Sequence, residues 1–143
     1  MTEDKYSSRR FDVQSEDVID GDVLEAIPFA YPESGTEVVY RTDEFTAVCP
    51  WTGLPDFGSL TIRYVPRDSL VELKSLKYYL TSFRNVGILQ EHAVNRILKD
   101  LVALVRPVSM MVEADYRERG GIRGRATARY SRDREGMEVR NED

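Results

Sequence analysis

A single cysteine, Cys49, stands in this chain of 143 residues. It excludes an intramolecular disulfide and any Cys-x-x-Cys redox or zinc pair. A single histidine, His92, excludes a metal centre built from several histidines of one chain, so no resident metal is expected. No apolar run approaches the roughly 18 residues that cross a bilayer. The opening Met1-Thr2-Glu3-Asp4-Lys5-Tyr6 has no apolar stretch like that of a secretion signal. The expectation is a reduced, cytoplasmic setting. Excess basic charge is missing too: 20 Lys and Arg face 25 Asp and Glu, a net charge of -5. That denies the chain the global field of a non-specific nucleic-acid binder and leaves only a local basic patch. The remainder is ordinary for a globular chain, 41% hydrophobic and 31% charged, in a length that suits one domain of ~100–150 residues.

Residues 1–21 are polar and acidic and carry few apolar anchors, so they read as a loose arm. Residues 131–143 read as a solvated tail for the same reason. The single domain is expected over 22–130. Within it, 37–41 and 45–49 read as one strand or two short pieces of one. Leu60, Ile62 and Tyr64 alternate with Thr61 and Arg63, which predicts a strand over 59–65. Ser69, with Glu72 three residues on, has the spacing of a capping box. A helix should follow, with Leu73, Leu76, Leu80 and Phe83 as its apolar stripe. Residues 84–87 interrupt it. A second helix is predicted over 89–105, with Val94, Leu98, Leu101 and Val105 inward and Pro107 as its stop. Alternation then predicts a strand over 108–116, a turn at Arg119-Gly120-Gly121 and a last strand over 122–130. The order strand, strand, helix, helix, strand, strand gives an α+β fold: an antiparallel sheet with two helices on one face. The other face must stay wet or meet a partner subunit.

Three segments carry chemistry. Cys49-Pro50-Trp51-Thr52-Gly53-Leu54-Pro55-Asp56 joins the first two strands and is rich in turn residues. A thiolate held there can add to an electrophilic carbon while Asp56 supplies a proton. The competing reading is a small buried apolar Cys and a turn-forming Asp, and loop composition leaves the two about even. Lys74 and Lys77 are three apart on the first helix, so two ammonium groups share a face and can hold a phosphate; a solvated basic face is the plainer alternative. Gln90-Glu91-His92 opens the second helix. Glu91 there either compensates the helix dipole or accepts two N–H groups from a ligand edge. His92 is most simply an exposed helix residue.

Together these segments resemble the nitrile reductases of the QueF family, which convert 7-cyano-7-deazaguanine to its aminomethyl form in queuosine biosynthesis. The family signature Glu-[Ser/Leu]-Lys-[Ser/Ala]-apolar-Lys-[Leu/Tyr]-aromatic is matched at every position of residues 72–79. The loop from Cys49 to Asp56 is similar to the family's nucleophile loop. Ser82-Phe83-Arg84-Asn85, Glu91, Asn95, Arg119-Gly120-Gly121-Ile122 and the segment from Asp22 to Pro28 also match. The resemblance spans roughly residues 22–125.

It implies the tunnelling fold (T-fold), in the short single-domain form, with subunits assembled in rings and substrate bound where two subunits meet. It implies Cys49 as the nucleophile that forms a thioimide and Asp56 as the general acid. Glu91 would hold the N–H edge of the base, with Gln90 and His92 beside it. Glu72, Lys74, Ser75, Lys77, Arg119 and Gly120 would bind NADPH. No membrane and no direct nucleic-acid partner are implied. One position departs from the pattern: family members usually place His before the Glu, where this chain has Gln90. Gln90 can hydrogen bond but cannot carry a proton charge. Each residue turns the side chain by about 100° on a helix and His92 lies two residues beyond Gln90, so it need not substitute.

Three alternatives are set beside the reductase. An archaeosine-forming amidinotransferase of the same family acts on tRNA, but it lacks the Lys-containing signature. A zinc-dependent cyclohydrolase of the same fold needs ligands that one Cys and one His cannot supply. A non-catalytic T-fold binding protein is the third.

Overall fold

The computed structural model describes residues 13–134. A four-stranded antiparallel sheet runs in the order β2-β3-β5-β6. Its strands are β2 (Val38–Val48), β3 (Pro55–Val65), β5 (Ser109–Tyr116) and β6 (Arg125–Ser131). Helices α1 (Leu73–Thr81) and α2 (Gln90–Val105) lie between β3 and β5 in the chain. Two short strands, β1 (Ala26–Pro28) and β4 (Ser69–Val71), pair antiparallel in a separate ribbon. The α+β class and the antiparallel sheet expected from the sequence are therefore present.

Alternation decides which face of the sheet is covered. Leu60, Ile62 and Tyr64 of β3 and Met110, Val112, Ala114 and Tyr116 of β5 are all buried. They meet Val94, Ile97, Leu98, Leu101 and Val105 of α2 in one core. The period of two on the strands and of 3.6 on the helix thus close on the same apolar volume. Below α1, Tyr79 and Phe83 stack edge-on with centroids 5.3 Å apart, and Phe83 also meets Phe45 of β2 at 5.6 Å. The Tyr79 hydroxyl donates to Asp100 Oδ2 at 2.6 Å, and Arg96 Nε reaches the same oxygen at 2.8 Å. That pairing accounts for a carboxylate set among apolar residues between the two helices.

Several expectations are corrected. Ser69 does not cap α1, because residues 69–71 pair with β1 as a strand. Glu72 is itself the N-cap: its carboxylate accepts from the Lys74 amide at 2.6 Å and the Ser75 amide at 2.8 Å. The end of α2 at Val105 is as expected, and Arg106 beyond it, with φ 44°, lies in the left-handed region. β3 begins at Pro55 rather than 59, and β6 at Arg125 rather than 122. Of the arm expected to be loose, residues 1–12 lie outside the described residues. Residues 13–21 are anchored: the Gln14 amide donates to the Asn85 carbonyl at 2.8 Å, and Ile19 is buried in the core. Val13, Val18 and Ile19 among polar neighbours give no periodic signal of that docking. Of the tail, 135–143 lie outside the described residues, while Ser131 ends β6 and Arg132–Arg134 form a single 3₁₀ turn.

Candidate active site

The link between β2 and β3 folds as a closed loop. The Gly53 amide donates to the Cys49 carbonyl at 2.8 Å, and the Cys49 amide donates to the Leu54 carbonyl at 2.9 Å. Cys49 is buried at the end of β2. Asp56 is not in the loop but on β3, opposite Ala47, and it too is buried, at 5% exposure. Asp56 and Ser75 are the buried polar side chains among the described residues. A carboxyl so enclosed needs a partner, and Arg119 provides it: the guanidinium forms an ion pair with Asp56 Oδ1. The same guanidinium faces the Cys49 thiol. Arg119 reaches both because residues 119–122 close a tight turn, with Gly120 and Gly121 at φ 59° and 79°. A Cβ would strain both positions.

The head of α2 is brought to this loop by backbone pairing. Val48 donates to the Val86 carbonyl at 3.0 Å, and Ile88 donates to the Val48 carbonyl at 3.1 Å. Gly87 lies within this crossing. A Cβ there would stand 2.5 Å from Val13 Cγ1 and 3.2 Å from Pro50 Cα, so only glycine allows the approach. Three residues after Gly87, Gln90 and Glu91 begin the helix. Tyr116, at the end of β5, donates through its hydroxyl to the Gln90 carbonyl at 3.2 Å. Burial first, then the charges of Asp56 and Glu91, push its phenol above the ordinary tyrosine range. Tyr116 therefore feels both carboxylates and stays a neutral donor. Periodicity marked Tyr116 only as a core residue; its place at the site depends on where β5 ends.

The thiol is tuned as well. The Thr52 hydroxyl is the largest influence on Cys49. With the Thr52 and Trp51 amides and Arg119 it outweighs the opposing effect of burial, so the thiol titrates below its usual range. A thiolate is the reactive form, so this favours nucleophilic chemistry.

The structure thus gathers Cys49, Asp56, Arg119, Gln90 and Glu91 at one end of the sheet. His92 is exposed on α2. Arg119, expected among cofactor contacts, is found on the Asp56 carboxylate. Glu72 and Ser75 are occupied structurally. Glu72 caps α1, and the buried Ser75 hydroxyl donates to the Glu72 carbonyl at 2.8 Å and accepts from the Glu25 amide at 3.0 Å. Lys74 and Lys77 are exposed on α1. Lys77 lines a cleft of about 490 Å³ between α1 and β2, with Tyr40, Arg41, Thr46, Leu73 and Arg84 on its walls. Thr46 connects this cleft to the site, since its hydroxyl donates to the Asp56 carbonyl at 2.8 Å.

Known proteins share this arrangement's sequence. A family model described as QueF-like protein matches residues 55–135. An NADPH-dependent 7-cyano-7-deazaguanine reductase of Caldicellulosiruptor bescii is 64% identical over 129 residues, covering 90% of this chain and 98% of that protein. The chain belongs to the QueF family. A QueF relative of the same name from Caldanaerobacter subterraneus subsp. tengcongensis is 61% identical over 130 residues, 91% of this chain and 97% of that protein. A third, from Chlorobaculum tepidum, is 46% identical over 114 residues, 80% and 97% of the two chains. The crystal structure of the archaeosine synthase QueF-Like in the apo form superposes with a TM-score of 0.62 at 24% identity, covering 68% of this chain and 95% of that one. At that identity it speaks for the fold that QueF members share.

Proposed function

We propose that this chain is an NADPH-dependent reductase that converts the nitrile of 7-cyano-7-deazaguanine to an aminomethyl group. The observation that carries the reading is a lone buried thiol and a buried carboxyl facing one guanidinium. Relatives named for this activity at 61–64% identity over nine-tenths of the chain support it. The amidinotransferase alternative rests on a likeness of 24% identity and is the weaker reading.

In the reaction, S–H adds across the C≡N bond. The Cys49 sulfur bonds to the nitrile carbon, and a π pair moves onto nitrogen. The thiol proton, relayed through Asp56, ends on that nitrogen, giving a thioimide. Bound NADPH would supply the two hydrides that bring the carbon to the amine level, with one proton from solvent completing the amine and another restoring the Cys49 thiol. Cys49 departs as thiolate when the carbon reaches the imine level, so the nucleophile is regenerated. Glu91 accepts the adjacent ring N–H and exocyclic N–H of the base, while the buried Tyr116 holds the head of α2 through the Gln90 carbonyl. Gln90 keeps this edge polar but cannot donate a charge-bearing proton where relatives of the family place His.

The residues present suit a phosphorylated cofactor. Among the described residues neither Lys74, Lys77 nor Arg84 appears in a salt bridge, and Lys77 and Arg84 face the cleft that Thr46 ties to Asp56. The finer fold and assembly belong to the same proposal: a T-fold whose sheets join edge to edge in a ring. The outer edges of β2 and β6 pair with no other strand among the described residues. β2 carries exposed Asp43 and Glu44 and β6 carries exposed Arg125 and Arg129, so a head-to-tail contact would join opposite charges. Placement in the cytoplasm is likewise proposed; among the described residues no helix is long and apolar enough to cross a membrane.

The deciding experiment follows NADPH absorbance with 7-cyano-7-deazaguanine present and absent. Nitrile-dependent loss of two NADPH per nitrile supports the reading; no loss, with an adduct that ammonia releases, favours the amidinotransferase. Lys74 and Lys77 replaced together by Gln should raise the KM for NADPH and leave adduct formation intact. Both side chains are exposed, so each contact lies near or below ~1.5 kcal/mol, about tenfold apiece. Steady-state kinetics set against intact-mass adduct measurement checks this.

Glu91→Ala separates the site role from the helix-dipole role. As a dipole partner alone, Glu91 is worth about 0.3–1 kcal/mol of stability and no affinity. As the base-edge acceptor, its loss leaves ligand donors buried without a partner. The expected result is a near-normal melting temperature and nitrile binding weakened by at least about tenfold.

A further inference from the structure

The two most exposed large apolar side chains among the described residues stand on the two loops that meet at the site. Trp51, 81% exposed, follows Cys49 by two positions, and Ile122, 76% exposed, closes the turn that carries Arg119. The Asp56–Arg119 ion pair ties that turn to the strand leaving the Cys49 loop. The backbone under the indole is locked. The Cys49 amide and carbonyl are bonded to Leu54 and Gly53, Gly53 takes a φ of 71°, and the ring of Pro50 fixes its own φ. Among the described residues no other aromatic ring pairs with the indole. A large apolar group held out in water by a rigid loop, beside a thiol and an ion pair, is placed for a ligand rather than for the core.

We propose that Trp51 is a substrate-binding residue: its indole stacks on one face of the bicyclic base while Cys49 engages the nitrile carbon and Glu91 the N–H edge. The proposal rests on reading the chain as a reductase of 7-cyano-7-deazaguanine. Two residues of chain span at most ~7 Å, and aromatic rings pair with centroids about 4.5–7 Å apart. A ring tethered to Cys49 through its nitrile carbon therefore stays within range of the indole. The chemistry agrees. A flat base carries its hydrogen-bonding groups round the rim and offers a π face on either side. An acceptor on the rim fixes one edge but not the tilt of the ring; an indole on the face fixes the plane, and with it the angle at which the nitrile meets the sulfur. Tryptophan supplies that contact at low entropic cost, with two side-chain torsions to hold. The competing occupant of this apolar rim is a second copy of the chain, which would make Trp51 matter for assembly instead of affinity.

Trp51 is the lone tryptophan, so its emission can be followed in the whole protein without interference. Cys49→Ala, which should form no adduct, lets reversible binding of 7-cyano-7-deazaguanine be measured by calorimetry, with W51F and W51L added in that background. Indole emission of the Cys49→Ala protein should change saturably, at the calorimetric midpoint. Loss of a base stack weakens binding by about five- to a hundredfold, and W51L should show it. W51F keeps a ring and should keep most of the affinity. Because the side chain is exposed, neither variant should move the melting temperature or the oligomer size read by size-exclusion chromatography. W51L binding as tightly as the Cys49→Ala protein, or W51F binding as weakly as W51L, overturns the stacking and leaves the reductase reading standing, since nitrile-dependent NADPH loss in the parent tests that separately. Weak binding by W51L accompanied by a smaller oligomer assigns Trp51 to a contact between copies and overturns the proposal. A parent that neither binds nor reduces the nitrile overturns both.

Discussion

Cys49→Ala should abolish both turnover and the covalent adduct. Cys49 is the lone thiol of the chain, and it is the group whose surroundings favour an anionic nucleophile. A hydroxyl at the same place is a much weaker nucleophile near neutral pH, so Cys49→Ser should also form no adduct. Intact mass after incubation with the nitrile reads the adduct; NADPH absorbance reads turnover. Both variants should fold, since the lost group is small and lies at the end of a strand whose ladder uses backbone atoms. Retained turnover in the alanine variant would remove the covalent mechanism altogether.

The second large effect is expected for Asp56→Asn. The amide keeps the shape and can still accept from Arg119, yet it cannot pass a proton to the nitrile nitrogen. A general acid or base is worth about 10²–10⁴-fold, and a loss in that range should appear in kcat. Adduct should still accumulate, slowly, because sulfur can attack with a proton drawn from solvent. This split distinguishes Asp56 from Cys49, whose removal leaves neither signal. The melting temperature of Asp56→Asn reports separately on the ion pair with Arg119, which is buried on the Asp56 side and half exposed on the other. A rate equal to that of the parent would take Asp56 out of the chemistry and leave it a structural partner of Arg119.

The parts of the fold that were legible in the sequence are those where burial follows a period. β5 and the inward face of α2 fall where alternation and 3.6-residue spacing place them, because each buries a regular stripe on the same core. Ser69 misled because two local rules compete there: a serine before Glu72 satisfies the capping spacing, but pairing with residues 26–28 claims it as a strand first. No local pattern announces a three-residue strand whose partner lies 43 positions away, Ala26 opposite Val71 being the extreme at 45. At the site, Cys49, Asp56 and Glu91 were nameable through a motif, but their convergence was not. It depends on the turn at Arg119, on the end of β5 at Tyr116 and on the crossing at Gly87, each a product of tertiary geometry. Arg119 shows the limit best: the motif marks it without saying what it touches, and its carboxylate partner is 63 residues away.

The pairing of Val48 with Val86 and Ile88 bears on which molecules this enzyme could ever accept. The proposed nucleophile Cys49 and the proposed base-edge acceptor Glu91 hang from two chain segments riveted together by main-chain bonds, so side-chain substitution can scarcely alter their separation. The gap acts as a fixed gauge between the reacting carbon and the recognised edge. A bicyclic base bearing its nitrile at another ring position would hold the right groups at the wrong span, and widening the enzyme's substrate range would require rebuilding this seam rather than enlarging a pocket.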